Sequence, residues 1–396
     1  MSELYTLPDG WEWKKLDELT EVNLGKTPTR SKSEYFLGDK VWLSIRDLKD
    51  DYVSDSNEKL TDEAIIASNI KIVPKGTLLM SFKLTLGKTA FANCDLYTNE
   101  AIASLPIKDK SILDKYFLKY SIGVIDLEKE VDNAVKGKTL NKEKMKNLDI
   151  PFPPLEEQKR IVAKLDNLFA KIDKATALHQ KNIDEANVFM ASVLNDVFVE
   201  LEEKYEKIPL FDVADVNRGK SKHRPRNDKK LFAGNYPFIQ TGDVRNANKY
   251  IDTFNETYSE FGLSQSKLWK KGTICMTIAA NIGDVAILNI DSCFPDSVVG
   301  IYSENNSNDF LYYFLLTLKQ QLESQATTTA QMNINLKVLQ TIGVPLPPLK
   351  TQQKVVSYLD EISNKMEKIK QIQKEKMQSL KALKASILDQ AFKGEL

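Results

Sequence analysis

Residues 150–166 read IPFPPLEEQKRIVAKLD, and residues 344–360 read VPLPPLKTQQKVVSYLD. Laid over itself at an offset of 194, the chain matches without gaps from 150–198 to 344–392, with 14 identities in 49 positions. They include Pro151/Pro345, Pro153/Pro347, Pro154/Pro348, Gln158/Gln352, Leu165/Leu359 and Asp166/Asp360. The same offset brings LDELTEVNLGK, 16–26, onto LFDVADVNRGK, 210–220. At 196, PKGTLLMSFKLTLGKTA, 74–90, falls on KKGTICMTIAANIGDVA, 270–286, and Asp47 falls on Asp243. Self-similarity on this scale is a tandem duplication. Each half is therefore expected to be a globular unit followed by a long helix.

The prolines mark where each helix begins, since proline is excluded from a helix interior but tolerated at its start. Beyond them, apolar residues recur at Ile161, Leu165, Leu168, Ile172 and Ala175, and in the second copy at Val355, Leu359, Ile362, Met366 and Ile369. This 4-3-4-3 spacing is the seam of a coiled coil. It continues through Ile183, Ala186, Met190, Val193 and Val197 after a phase shift near His179, and through Leu380, Leu383 and Ile387 in the second copy. Each helix should run some 45 residues, about 65–70 Å at 1.5 Å per residue. The sequence offers no other long amphipathic element to cover these stripes. The two helices are therefore expected to pack antiparallel about a pseudo-two-fold axis, as a spacer between the globular units. The competing arrangement folds each helix back on its own unit.

The rest of each half reads as β-rich. KVWLSI (40–45), GTLLMSF (76–82) and TAFANC (89–94), with YPFIQT (236–241), GTICMTI (272–278) and DVAILNI (284–290), are short runs bounded by turn residues. Helical runs intervene at 109–122 and 308–323. The expected fold class is α+β: two β-rich domains, 1–150 and 204–343, joined by two long helices, 151–203 and 344–396. A chain of 396 residues suits more than one core. No apolar run approaches the roughly 18 residues of a membrane span. MSELYTLPDGWEW lacks the pattern of a signal peptide, so a cytoplasmic protein without a membrane partner is expected. Cys94, Cys275 and Cys293 have no CxxC spacing, which gives neither a disulfide framework nor a zinc site and leaves ordinary buried thiols.

Net charge is zero, with 55 basic and 55 acidic residues, but the charges are unevenly placed. LGKTPTRSK, 24–32, has no acid, and RGKSKHRPRNDKK, 218–230, sets seven Lys/Arg against Asp228 alone. Both follow strand-like runs, and the offset of 194 makes them equivalent positions. Loops 44–50, 82–88 and 136–142 complete the set that could carry binding chemistry. Catalytic constellations fail by elimination. His179 and His223 are the only histidines, so no histidine base recurs in both halves. GKT at 25–27, 87–89 and 137–139 lacks the earlier glycine of a phosphate-binding loop, and no GxGxxG occurs. Binding and scaffolding are favoured over catalysis.

LPDGWEWKKLDELTEVNLGKTP at the start, KGTLLMSF with LGKTAF in the middle, and GKTLNKEKMKNLDIPFPPLEEQKRIVAKLD at the first domain's end, with their second-half echoes, resemble the specificity subunit of type I restriction-modification systems. The resemblance spans essentially the whole chain. It implies two target-recognition domains, each reading one half of a bipartite duplex DNA target, and helices that set the unread gap. It also implies two methyltransferase subunits docked on those helices, restriction/translocase subunits as further partners, and no catalysis by this chain. S-adenosylmethionine, ATP and Mg would then bind the partner subunits, with no cofactor here. On the division between phosphate contacts and base-edge readers, the candidate DNA-binding residues are Lys26, Thr27, Arg30, Lys32, Arg46, Lys83 and Lys138 in the first domain. In the second they are Lys220, Lys222, Arg224, Arg226, Arg245, Asn281 and Gln331. At Gly25 and Gly219 a rival reading makes the glycine necessary for a tight turn and the lysine after it incidental. LKTQQK, 349–354, departs from LEEQKR in the first copy, which would make the two docking faces chemically unequal. The alternatives are a coiled-coil adaptor that binds proteins, and a recognition subunit of a fused methyltransferase-nuclease.

Overall fold

A computed structural model describes residues 5–127, 132–134, 137–279, 281–327 and 334–396, with side chains outside 132–134, 137–139 and 325–327. The chain divides into two compact units, Met1–Leu178 with Lys376–Leu396, and His179–Glu375.

In the first unit five strands pair in the order Asn23–Leu24, Ile102–Leu105, Leu78–Ser81, Thr89–Ala92, Tyr52–Val53. All neighbours are antiparallel except the last pair. The central strand is buried on both faces, and its side chains alternate between two cores, as the two-residue strand period requires. Leu78 and Met80 join Phe117, Ile161 and Leu165, while Leu79 joins Leu43 and Leu96. The second unit repeats this order with Asp215–Arg218, Val298–Tyr302, Ile274–Thr277, Val285–Leu288 and Tyr250–Ile251. There Ile274 and Met276 meet Phe198 and Phe310, and Cys275 meets Trp269 and Phe294. Cys275 and Cys293 are buried, and Cys94 is only half-buried, short of the burial expected of it.

A two-stranded antiparallel ribbon closes each domain immediately before its long helix. Glu12–Lys15 pairs with Asp149–Phe152, and Lys207–Pro209 pairs with Gly343–Pro345. The helices themselves run Leu155–Lys204, 50 residues, and Leu349–Phe392, 44 residues. The first shorter helix begins later than its apolar run suggests, at Lys115, whereas the second begins at the expected Asn308 and stops at Thr317, ahead of a separate helix Lys319–Thr327. Asp114 caps Lys115–Val124 through the Tyr116 and Phe117 N–H groups, and Ser307 caps Asn308–Thr317.

Gln158 and Gln352, one turn into the two long helices, are almost fully buried. The Gln158 carbonyl accepts the Asp114 N–H at 2.8 Å, and its amide donates to the carbonyls of Ile112 and Pro153 at 2.9 and 2.8 Å. Gln352 repeats the pattern: it accepts from Ser307 N–H at 2.9 Å and donates to Pro347 carbonyl at 2.9 Å and Asn306 Oδ1 at 3.1 Å. One carboxamide thus joins the proline hinge, the cap of a short helix and the long helix, with all its main polar valences filled.

The antiparallel pairing is present within each unit. In the first, Lys384 donates to Asp173 at 2.8 Å and its ammonium lies 4.7 Å from the Phe169 ring centroid. In the second, Lys370 donates to Asn187 at 3.2 Å, and the His179 ring meets Gln373 at 2.5 Å. His179 and Gln373 are the same position of the repeat, and a residue meets its own repeat mate only on the axis of an antiparallel pair. The competing arrangement, each helix folded onto its own domain, is met only in part. Phe169 of the first helix packs on Tyr120 and Leu359 of the second joins the core around Phe310, but Phe198 of the first helix packs on Phe310 and Phe314, and Phe392 of the second packs on Phe117. This shared duty displaces the expected seam. Ile369 and Leu383 are exposed, while Phe169, Leu194 and Phe198 take the buried positions.

Asp166 and Asp360 differ in their company. Asp166 accepts from the Tyr120 hydroxyl, whereas Asp360 accepts from both Tyr313 and Lys249, and Lys249 also reaches Asp309 at 2.7 Å. Burial works against the charge on Lys249, but the two carboxylates outweigh it and hold the ammonium above the ordinary lysine value. Burial likewise opposes ionisation of Asp309, and hydrogen bonds from Lys249 and Tyr250 overcome it and hold its carboxyl low.

Two predictions follow from these anchors. Replacing Gln158 by Ala strands a buried N–H and two carbonyls, and should lower unfolding free energy in urea by about 2–4 kcal/mol, against no measurable change for exposed Gln353→Ala. Asp309, with its lowered folded value, stabilises the second unit above the unfolded carboxyl range near pH 4 and loses that contribution as pH falls through the lower folded value. Asp309→Asn should therefore flatten the decline of thermal midpoint below about pH 4.

Candidate nucleic-acid interface

Both basic loops leave the sheet by the same turn. Gly25 N–H donates to Ile102 carbonyl at 3.1 Å and Lys26 N–H to Thr98 carbonyl at 2.9 Å. In the second unit Gly219 donates to Val298 at 2.9 Å and Lys220 to Phe294 at 3.2 Å. A Cβ on Gly25 would lie 2.2 Å from the Thr98 carbonyl oxygen, and one on Gly219 would lie 2.3 Å from that of Pro295. Glycine is required at both places because two backbones cross without room for a methyl group. Lys26 and Lys220 then stand on the surface, so the glycines are required by a crossing of backbones rather than by the tight turn of the rival reading, and the lysines stay on the exposed face.

In the first unit the loop folds onto acidic and aromatic partners. Thr27 donates to Glu100, Lys32 Nζ donates to the Tyr35 hydroxyl at 2.9 Å, and the Lys26 carbonyl accepts from the Trp42 indole at 3.1 Å. Arg30 meets Glu58 through Nη1 and Nη2, and its guanidinium lies 4.3 Å from the Phe36 ring centroid. The hydrogen bond from Arg30, and after it burial opposing the shift, leave the Glu58 carboxyl below its usual range, with Arg46 adding a weaker pull from the turn Ile45–Asp47. Arg30 and Arg46 are thus neighbours around one carboxylate. Asp47 is structural: it accepts from Ser44 N–H at 2.8 Å and from the Asn57 amide at 2.7 Å. Asp243, its repeat mate, does the same for Gln240 and Asn255. Lys83 sits beside its neighbour Phe82, 5.6 Å from the ring centroid.

In the second unit Arg226 pairs with Asp296, and Arg245 Nη1 donates to Asn281 Oδ1 at 2.6 Å, bringing together two candidates from different loops. Lys222 is exposed, with its backbone N–H on Gln265 carbonyl at 3.1 Å. Arg224 braces its own loop through the carbonyls of Ser221 and His223 at 2.6 and 2.9 Å. A cleft of about 450 Å³ is lined by Arg218, Arg226, Ile278, Asp296, Ser297 and Asn335. The Lys138 side chain and Gln331 lie outside the described residues. Sequence reasoning passed over Arg218, whose Nη2 donates to Ile334 carbonyl at 3.2 Å, and it passed over the acids Glu58, Glu100 and Asp296. The offset of 196 places Glu100 on Asp296 and could have found that pair.

Two β-rich domains of one topology, each presenting a basic loop from the same backbone turn and each leading into a long helix, define a duplicated recognition module. The family model for the type I restriction modification DNA specificity domain matches this chain twice, over residues 8–185 and 202–376. The chain belongs to that family and is a DNA-recognition subunit. It is similar to the type I restriction enzyme MjaIX specificity subunit of Methanocaldococcus jannaschii, with 24% identity covering 100% of this chain and 95% of that one. A putative type I restriction enzyme specificity subunit of Haemophilus influenzae is 27% identical over 88% of this chain and 86% of its own. Among solved structures, a chain from a study of complex assembly in a type I R-M system superposes with a TM-score of 0.76 at 23% identity, covering 99% of this chain and 100% of that one. The HsdS subunit of Thermoanaerobacter tengcongensis superposes with a TM-score of 0.53 at 23% identity, covering 100% and 99%. These likenesses show the shared fold.

Gly219→Ala should cost more than about 2 kcal/mol of unfolding free energy through backbone displacement, while Lys220→Ala should stay within about 0.5 kcal/mol. Chemical denaturation of both variants measures the difference.

Proposed function

We propose that this chain, assembled with two methyltransferase subunits, reads a bipartite duplex DNA target, one half per β-rich domain, with the paired helices setting the length of the unread gap. The observation that carries this reading is the identical root and different content of the two basic loops. The backbone bonds at Gly25–Lys26 recur at Gly219–Lys220, but TPTRSK follows in one and SKHRPRNDKK in the other. A common scaffold with unlike side chains suits two unlike half-sites.

Lys26, Lys32, Lys83, Lys220 and Lys222 suit phosphate neutralisation, Thr27 lies on the loop of Lys26, and Lys138 falls in the strand Gly137–Thr139 rather than in the expected loop. Arg46, Arg224, Arg226, Arg245, Asn281 and Gln331 carry the planar donors and amides that suit base edges, whereas Arg30 keeps its fork on Glu58. The helices carry apolar side chains that this chain leaves uncovered: Val188 is 70% exposed, Phe189 51% and Tyr358 51%. Such surface supports docking of a partner subunit. The change from EEQKR to TQQK makes the two docking faces unequal in charge. Catalysis, S-adenosylmethionine, ATP and Mg then belong to the methyltransferase and restriction/translocase subunits, in the cytoplasm. Among the described residues no helix is long and apolar enough to cross a membrane.

Footprinting of the methyltransferase complex should show two protected segments with an unread gap, and binding should weaken linearly in log–log salt plots. One continuous contacted sequence refutes the two-domain reading. Inserting seven residues at matched places in both helices should lengthen the gap by about three base pairs, from 1.5 Å per helical residue against 3.4 Å per base step. Methylome sequencing reads the outcome: unchanged half-sites support a ruler, and altered half-sites refute it.

A further inference from the structure

We infer that Asp296 is a positioning residue that orients Arg226 toward a guanine edge in the half-site of the second domain. The inference rests on the DNA-recognition reading above. Both hydrogen bonds to the carboxylate, each 2.9 Å, leave from Arg226 Nη2. Among the described residues, Nη1 and Nε donate to no protein atom. Guanidinium carries five N–H groups, and a guanine contact needs two parallel donors for O6 and N7. The two carboxylate oxygens lie too close together to take one N–H each from a trigonal nitrogen, so one Nη2 N–H is shared between them, and Nη1 with the second Nη2 hydrogen supplies the pair. The Arg226 side chain is 51% exposed and lines both the cleft of about 450 Å³ and a neighbouring one of about 460 Å³.

Asp296 has a rigid base. Val298 N–H closes the turn on Pro295 carbonyl at 3.0 Å, the Ser297 carbonyl accepts from Ile278 at 3.0 Å, and Phe294 is fully buried. An exposed ion pair adds little to folding stability, yet the repeat keeps an acid at this turn in both halves. Glu100 occupies the equivalent position and accepts from Thr27 of the first basic loop. A carboxylate one guanidinium-width from a phosphate would be repelled by it, whereas beside a neutral base edge it fixes the fork at no such cost. Arg30 provides the contrast. Its Nη1 and Nη2 are both taken by Glu58 and its face lies over Phe36, so the fork that would meet a base is occupied. The two loop arginines therefore do different work.

The test uses the complete complex of this chain with its methyltransferase subunits and a randomised duplex library, read at several salt concentrations. Wild type should demand guanine at one position of one half-site. Asp296→Asn and Arg226→Lys should each relax that position about tenfold, with the other positions and the salt slope unchanged. The retained positions report that the variants are folded. Asp296→Asn that tightens binding to every duplex without changing base preference would overturn the inference, making the acid merely repulsive. Arg226→Ala that weakens all duplexes equally and lowers the salt slope by about one would also overturn it, making Arg226 a phosphate contact. A wild-type complex with no base preference anywhere would instead defeat the DNA-recognition reading itself.

Discussion

A buried carboxamide at the root of each long helix fixes where that helix points. Gln158 accepts one N–H and donates to two carbonyls, with partners from the 112–114 segment and from the Pro153 hinge, and Gln352 repeats the arrangement with the Asn306 side-chain oxygen in place of one carbonyl. The geometry matters because errors at a helix start grow along its length. Fifty residues span about 75 Å, so a swing of 10° at the root would carry the far end about 13 Å. A helix this long keeps a defined direction only if its first turn is locked to the domain. Backbone packing alone would leave that turn free to pivot about Pro153–Pro154. A buried side chain with every main valence satisfied does not, since any tilt strands a donor in the core.

The hinge shows what sequence can and cannot reveal. Gln158/Gln352 appears among the identities of the repeat, beside prolines whose role is plain, but the partners Asp114 and Ser307 lie more than 40 residues away and could not be named. The helices themselves were legible from 4-3 spacing, and their pairing from duplication. The exact seam was not, because the periodicity assumes one partner per helix. Here each helix faces both its antiparallel mate and a β-rich core, so Phe169 and Phe198 are buried and Ile369 and Leu383 are left outside.

The candidate interface was legible on its basic side only. Runs such as RGKSKHRPRNDKK stand out in sequence, while Glu58 and Asp296 are single acids 28 and 70 residues from the arginines they hold. Folding brings them together, and composition cannot. The glycines carry the complementary lesson. Gly25 and Gly219 do not adopt the left-handed conformation that a tight turn suggests, and they are required instead by the crossing of two backbones.

That crossing bears on how one scaffold carries two unlike loops. The root of each basic loop is held by backbone N–H and carbonyl groups, which every residue except proline possesses, and by a glycine that admits no substitute. Nothing in this attachment specifies the side chains that follow. The loop can therefore carry TPTRSK in one domain and SKHRPRNDKK in the other without altering where it leaves the sheet. The internal partners change with the content: an Arg30 stacked on Phe36 and held through both terminal nitrogens on one side, and an Arg226 held by a single nitrogen on the other. Attachment through the backbone keeps the reading face in place, and the side chains alone decide what it meets.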